Sequence, residues 1–432
     1  MATMKSATLL LALVLPLLNG CANFRRLSAD LKILDEEYRI HGRITNADDF
    51  KVPVHAVVFE WDRASNRIDS CDRVDLATGG AFIFSVKNPA RQFVAAFADS
   101  NKNSRHDAGE LLWFHAGANG EPEAVEFNSS RRAEVRGTLD SASMPAGLRR
   151  AFDSALAGRT VDQVVSGRGV RLSLGEIASL DDPRFAATRG SDGLWAPATT
   201  AATTGFGIYF LEPYDPARTP VLFVHGAAGS PQDWRVAMER IDRRRYQPWF
   251  VFYPSGLRLE SCAGALNDGV KALHRRFGFQ RLHVVAHSMG GLVSRRFIEK
   301  NVVEDGNRYI TTFITFSSPW DGHEAAAAGV KRAPSVVPSW RDMENSSDFL
   351  DHLFDERLKG KLNHHLFYGH HAKRSLLLPQ ENDGTVSVAS QLRPAAKADA
   401  ASVQGYDEDH VSILSARAPL TRAKEILAAA SP

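Results

Sequence analysis

From Gly205 to the C-terminus the chain alternates two apolar patterns. Continuous apolar runs of strand length, FGIYFLE, PVLFVHG, QPWFVFYP, LHVVAHS, ITTFITFSS and HLFYGHH, are separated by stretches such as QDWRVAMERID and CAGALNDGVKALHRRF, whose apolar residues recur at helical spacing. Strands apolar on both faces that alternate with helices predict a mostly parallel sheet covered on both sides, an α/β domain over residues 205–432. In such sheets ligands bind beyond the carboxyl ends of the strands.

Before Gly205 the pattern differs. VPVHAVVFEW, GAFIFSV and RQFVAAFAD are β-branched and aromatic runs divided by NADD and TGG, which predicts a small β-sandwich-like domain over 38–136. Residues 137–204 form a connecting region, open to assignment as part of the α/β domain. Within it MPAGLRRAFDSALAGRTVDQVV has helical spacing, and SDGLWAPATTAATTG reads as an extended segment or loop. Leu27 to Tyr38 predicts a short amphipathic helix that leads away from the N-terminus through a linker assigned to 21–37.

Composition narrows the classes. The chain has 432 residues, 44% hydrophobic and 24% charged, with a formal net charge of +2 and no long basic run. That supplies core for two domains and disfavours nucleic acid as a partner. At the N-terminus Lys5 precedes LLLALVLPLL (Leu9–Leu18), an apolar stretch too short to span a bilayer and broken by Pro16, so residues 1–20 read as an export signal. The LNGC that follows resembles a bacterial lipobox, which implies that Cys21 is lipidated and tethers the body to a membrane of the cell envelope. With Ala22 next, the family's sorting rule implies the outer membrane. Cys71 and Cys262 remain, and their spacing leaves open whether they pair.

The chemistry concentrates at AHSMGG, residues 286–291, where a buried strand must turn at once into the helical pattern GGLVSRRFIEK. A serine at such a turn projects its hydroxyl from a strained backbone at a helix N-terminus, where N–H groups favour developing negative charge. This motif resembles the nucleophile elbow of the α/β-hydrolase superfamily, in its lipase and esterase branch, with Ala286 in place of the first glycine. Three further segments carry the resemblance: VLFVHGAAGSPQDW, NDGTV and DEDHV. It implies an α/β-hydrolase fold with Ser288 as nucleophile, Asp383 as acid and His410 as base. It also implies that the backbone N–H groups of Ala227 and Met289 form the oxyanion hole. Among rival residues are His323, His365, His370, His371, Asp407 and Asp409. The stretch at about 320–365, rich in Pro, Trp, Val and Phe, matches the place where lipases insert a lid or pocket wall.

One further motif lies in the first domain. DSNKNSRHDAGE spaces Asp99, Asn101, Asn103, Arg105 (through its carbonyl), Asp107 and Glu110 as a calcium loop would, although Ser104 stands where an EF-hand has glycine. A structural Ca²⁺ and a solvated Asx-rich turn are the two readings; catalysis itself calls for no cofactor. Together these features point to a serine carboxylic-ester hydrolase acting on hydrophobic or lipid esters. An acyltransferase or amidase on the same triad, or an inert envelope-binding lipoprotein, are the alternatives.

Overall fold

The computed structural model describes residues 22–33, 38–76, 80–141, 143–157, 172–371 and 381–430. They divide into two compact units: Ile33–Leu172, and the chain up to Lys32 together with Ser173–Pro432.

In the smaller unit two sheets face each other. One has the order β4-β1-β7, with β1 (Tyr38–Ile44), β4 (Ala81–Val86) and β7 (Arg132–Gly137); the other runs β3-β2-β5-β6, with β2 (Val54–Asp62), β3 (Arg67–Asp75), β5 (Gln92–Ala98) and β6 (Leu112–Phe114). β2 and β5 are buried along most of their length because successive side chains point to opposite faces and both faces are covered. Val54, Ala56, Val58, Val94, Ala96 and Ala98 pack toward Ile40, Phe84 and Val135 of the other sheet. Val57, Phe59, Trp61, Phe93, Ala95 and Phe97 point the opposite way, under Leu148 and Ala151 of the helix Ala146–Leu156.

The larger unit is built on an eight-stranded sheet. Its strands are β8 (Leu172–Ile177), β9 (Phe206–Phe210), β10 (Thr219–Val224), β11 (Tyr246–Phe252), β12 (Leu282–His287), β13 (Ile310–Phe316), β14 (Asn363–Gly369) and β15 (Ser402–Tyr406). They stand in the order β8-β9-β11-β10-β12-β13-β14-β15. From β11 to β15 every neighbouring pair is parallel, and β9 runs antiparallel to β11. Alternation again sorts the side chains. Leu222, Val224, Trp249, Val251, Val284 and Ala286 pack on one face with Leu266 and Val270 of the helix Leu259–Phe277 and Leu292 and Phe297 of the helix Met289–Ile298. Val221, Phe223, Phe250, Phe252 and Val285 pack on the other, against Met238 and against Ile426 and Leu427 of the C-terminal helix Arg417–Ala430.

Two local expectations are corrected. SDGLWAPATTAATTG is not extended: it lies in two helices, Ala187–Trp195 and Pro197–Thr203. The second lacks a side-chain cap of its own, and its first amides are instead accepted by Asp30, from Ala198 at 2.7 Å and Thr199 at 2.9 Å. Local composition carries no trace of a cap 168 residues away. The N-terminal helix covers residues 22–33 and not Leu27 to Tyr38, since Tyr38 opens β1. Between β13 and β14 the insertion at about 320–365 folds into the helices Glu324–Arg332, Pro338–Met343 and Asp348–His352, and Trp320, Met343, Leu350 and Leu353 are buried in the main core.

Trp249 is fully buried, and its ring stacks on Phe210 at 4.2 Å between centroids. Trp249→Ala is expected to cost about 3–5 kcal/mol, read as a lower urea midpoint at unchanged m.

Candidate active site

β12 ends at His287 and the next helix begins at Met289, so Ser288 carries the whole reversal. Its backbone lies at φ 53° and ψ −130°, a conformation that costs of order 1–3 kcal/mol in a non-glycine residue. The sheet and helix hold it there: the Ser288 N–H donates to the Phe316 carbonyl of β13 at 2.8 Å, and the Gly291 N–H donates to the Ser288 carbonyl at 2.9 Å. Glycine neighbours allow the close approach. A Cβ at Gly290 would fall 2.3 Å from the His225 carbonyl oxygen, and one at Gly226 would fall 2.9 Å from the Ser288 Cβ.

Two loops at the same end of the sheet complete the group. Asp383 lies between β14 and the short helix Val388–Gln391, and His410 lies just after β15. The loops are tied at the backbone, where the His410 N–H donates to the Asp383 carbonyl at 2.8 Å. Their side chains form one line: Ser288 Oγ stands 2.9 Å from His410 Nε2, and His410 Nδ1 stands 2.7 Å from Asp383 Oδ2. With Nδ1–H donating to the carboxylate, Nε2 is left as the acceptor for the serine hydroxyl. Ser288 and His410 retain 7% and 8% exposure while Asp383 has none, so solvent reaches only the serine end of the line.

Burial pushes the Asp383 carboxyl upward. His410, through its hydrogen bond and charge, and the Val386 and Thr385 N–H groups outweigh that, and the net shift is downward. The carboxylate therefore stays charged where it orients the imidazole. A serine, an imidazole and a buried carboxylate in this line can move a proton from the hydroxyl to Nε2 and stabilise the imidazolium formed.

Sequence reasoning missed one neighbour. His287 Nε2 donates to the His410 carbonyl at 2.8 Å, and the two rings lie 4.6 Å apart. Burial, followed by the nearby His410, lowers its pKa to about 3, so it is neutral and acts as a fixed donor. The only sequence signal was a histidine inside the elbow motif. His225 is similar: its Nδ1 donates to the Gly226 carbonyl, Tyr253 Oη donates to its own carbonyl at 2.8 Å, and burial lowers its pKa to about 4.

The other candidates fall as follows. Ala227 is exposed in the loop whose Gly226 abuts Ser288, and Met289 is the buried first residue of the helix that follows. His323 caps the helix Glu324–Arg332, His365 bonds to Ser402, and His371 pairs with Asp407. Asp409 accepts N–H bonds from Val411 and Ser412. Cys21 lies outside the described residues. Cys71 and Cys262 are separate buried thiols, each pushed up to about 12 by burial.

The Asp/Asn loop is knitted by its own hydrogen bonds. Asp99 accepts from the N–H groups of Asn103 and Ser104, Asp107 from the amides of Asn101 and Asn103, and Glu110 from the N–H groups of Ser100 and Asp107. The Asn103 side chain accepts from the Arg105 N–H. Among the described residues no group of three or more His, Cys, Asp or Glu side chains is placed to hold a metal. Among them too, no helix is long and apolar enough to cross a membrane.

The strand order, with its antiparallel second strand, and the serine at the elbow after the fifth are those of the α/β-hydrolase fold. Residues 264–332, which include the elbow, match the family described as lecithin:cholesterol acyltransferase. No curated protein matches the chain in sequence. Among solved structures, the mature lipase BlEst2 of Bacillus licheniformis is 19% identical with a TM-score of 0.40, covering 51% of this chain and 97% of its own. Lipase B of Aspergillus fumigatus is 13% identical at 0.38, covering 51% and 56%. Phospholipase PlaB of Legionella pneumophila is 18% identical at 0.33, covering 40% and 44%.

The buried histidines make stability pH-dependent. His225, His283 and His287 sit at about 4, 4 and 3, and His364 well below the ordinary 6.5, all chiefly through burial. Below pH 6.5 the unfolded chain takes up protons that the folded chain refuses, so stability falls as pH falls. Each histidine should remove about 1 kcal/mol between pH 7.5 and 5.5. Asp233, Asp268, Asp342 and Glu299, raised by burial, act with the opposite sign and offset part of this loss. Calorimetry at the two pH values should give a clearly lower Tm at 5.5; a flat Tm would contradict this.

Proposed function

We propose that the protein is a serine hydrolase of carboxylic esters with hydrophobic acyl groups. The observation that carries the reading is the unbroken line from Ser288 Oγ through His410 to Asp383, at 2.9 and 2.7 Å. In the proposed mechanism Ser288 attacks the ester carbonyl carbon as His410 Nε2 takes its proton. The N–H groups of Ala227 and Met289 receive the oxyanion. As the tetrahedral intermediate collapses, the C–O bond to the alcohol breaks and His410 returns the proton to the departing oxygen, leaving an acyl-Ser288. Water, deprotonated by His410, then releases the acid. Loss of one oxyanion donor in such sites costs about 2.7–4 kcal/mol of barrier.

The match to the lecithin:cholesterol acyltransferase family supports a lipid ester as acyl donor. It also favours a second reading, in which an alcohol replaces water in the last step; product analysis with a long-chain alcohol present separates the two. We further infer that Cys21 is lipidated and holds the enzyme to the cell envelope, at the outer membrane.

A fluorophosphonate probe should label the wild type and not Ser288→Ala. Ser288→Ala and His410→Ala should each lower kcat for p-nitrophenyl esters by about 10⁴-fold or more. A folded wild type that neither labels nor turns over any ester in a chain-length series would leave only a binding role. Palmitate incorporation should vanish in Cys21→Ser; label retained there would refute the anchor.

A further inference from the structure

The helix of residues 22–33 begins one peptide bond after Cys21, and it is docked on the catalytic unit. Leu27 is fully buried with Leu194 and Val337, and Phe24, Leu31, Trp195, Trp340 and Ala228 pack around them, partly exposed. Phe24 meets the Trp195 ring edge-on at 5.3 Å and the Trp340 ring at 6.3 Å, and the two indoles are 5.6 Å apart. Polar ties fix the same helix. Asp30, 3% exposed, caps Pro197–Thr203, and Arg26 pairs with Asp192 at 2.6 Å. Arg25, Ala29 and Lys32 occupy its exposed face.

Two features stand out. A lipid carried at position 21 is attached three residues from Phe24, within about 10 Å of chain from the cluster. Ala228, in the same cluster, adjoins Ala227 of the loop against Ser288. We propose that this helix and its aromatic cluster form a membrane-facing surface that seats the catalytic unit on an anionic bilayer, with the Ala227 loop beside the lipid. The proposal rests on the lipidated Cys21 and deepens the ester-hydrolase reading: it assigns as substrates the ester lipids of the bilayer itself. Half-buried indoles suit the boundary between headgroup and acyl chain, and the exposed Arg25 and Lys32 complement anionic headgroups.

The test uses the full lipidated protein in vesicles of phosphatidylcholine and phosphatidylglycerol, with and without bromine-labelled acyl chains. Flotation reads the anchor, p-nitrophenyl acetate in solution reads the hydrolase, and quenching of tryptophan emission by bromine reads the proposal. The wild type should float and be quenched. Trp195→Phe/Trp340→Phe, which removes two of the seven tryptophans, should lose at least half of the quenching. Asp30→Ala, which frees the helix, should lower turnover of vesicle phospholipid at least five-fold and leave acetate turnover within two-fold. Flotation without quenching, or equal fractional quenching in the double variant, overturns the surface alone. Failure to float overturns anchor and surface together. Absence of acetate turnover in a quenched wild type overturns the substrate assignment and supports the docked surface.

Discussion

The reversal at Ser288 is the constraint on which the site depends. A helix must start immediately after β12, within the space left by β10 and its loop, and only a residue at φ 53° makes that turn. The strain is offset by packing that fills both faces of the sheet, and by the bond from the Ser288 N–H to β13. Its return is geometric. The hydroxyl stands at a helix N-terminus, aimed at an imidazole delivered by a loop 122 residues away.

That imidazole is held from three directions. Asp383 holds Nδ1, the Asp383 carbonyl holds the His410 N–H, and His287 holds the His410 carbonyl. The surroundings have low polarity, as the depressed pKa values of His225 and His287 register. Asp383 keeps its charge in that setting because His410 and two backbone N–H groups solvate it in place of water.

Long-range carboxylates organise the periphery in the same manner. Asp30 caps Pro197–Thr203 from the N-terminal helix, and Asp342 of the insertion accepts the Leu259 N–H at 2.7 Å and Arg258 Nε at 2.8 Å, capping the long helix Leu259–Phe277. Neither of these helices begins with a capping side chain of its own. The insertion is therefore bound to the core by polar contacts as well as by Trp320 and Met343.

The central strands of the large sheet were legible because each is apolar on both faces, a pattern written in consecutive residues. Ser288 was legible for the same reason: elbow chemistry is local, set by a strand end, a small residue and two glycines. The edge strands β8 and β15 were not, because one side of an edge is free of a partner and its residues, as in SVQGY, need not be apolar. The two helices of 187–203 escaped because Asp30, remote in sequence, satisfies one of them. By itself the sequence determined the alternation of elements, the turn at Ser288 and the order of the serine, aspartate and histidine along the chain. Tertiary structure alone decided that His410, and none of its rivals, meets Ser288, and that His287 braces it. Those outcomes depend on segments more than a hundred residues apart in the chain, which only the assembled sheet brings together.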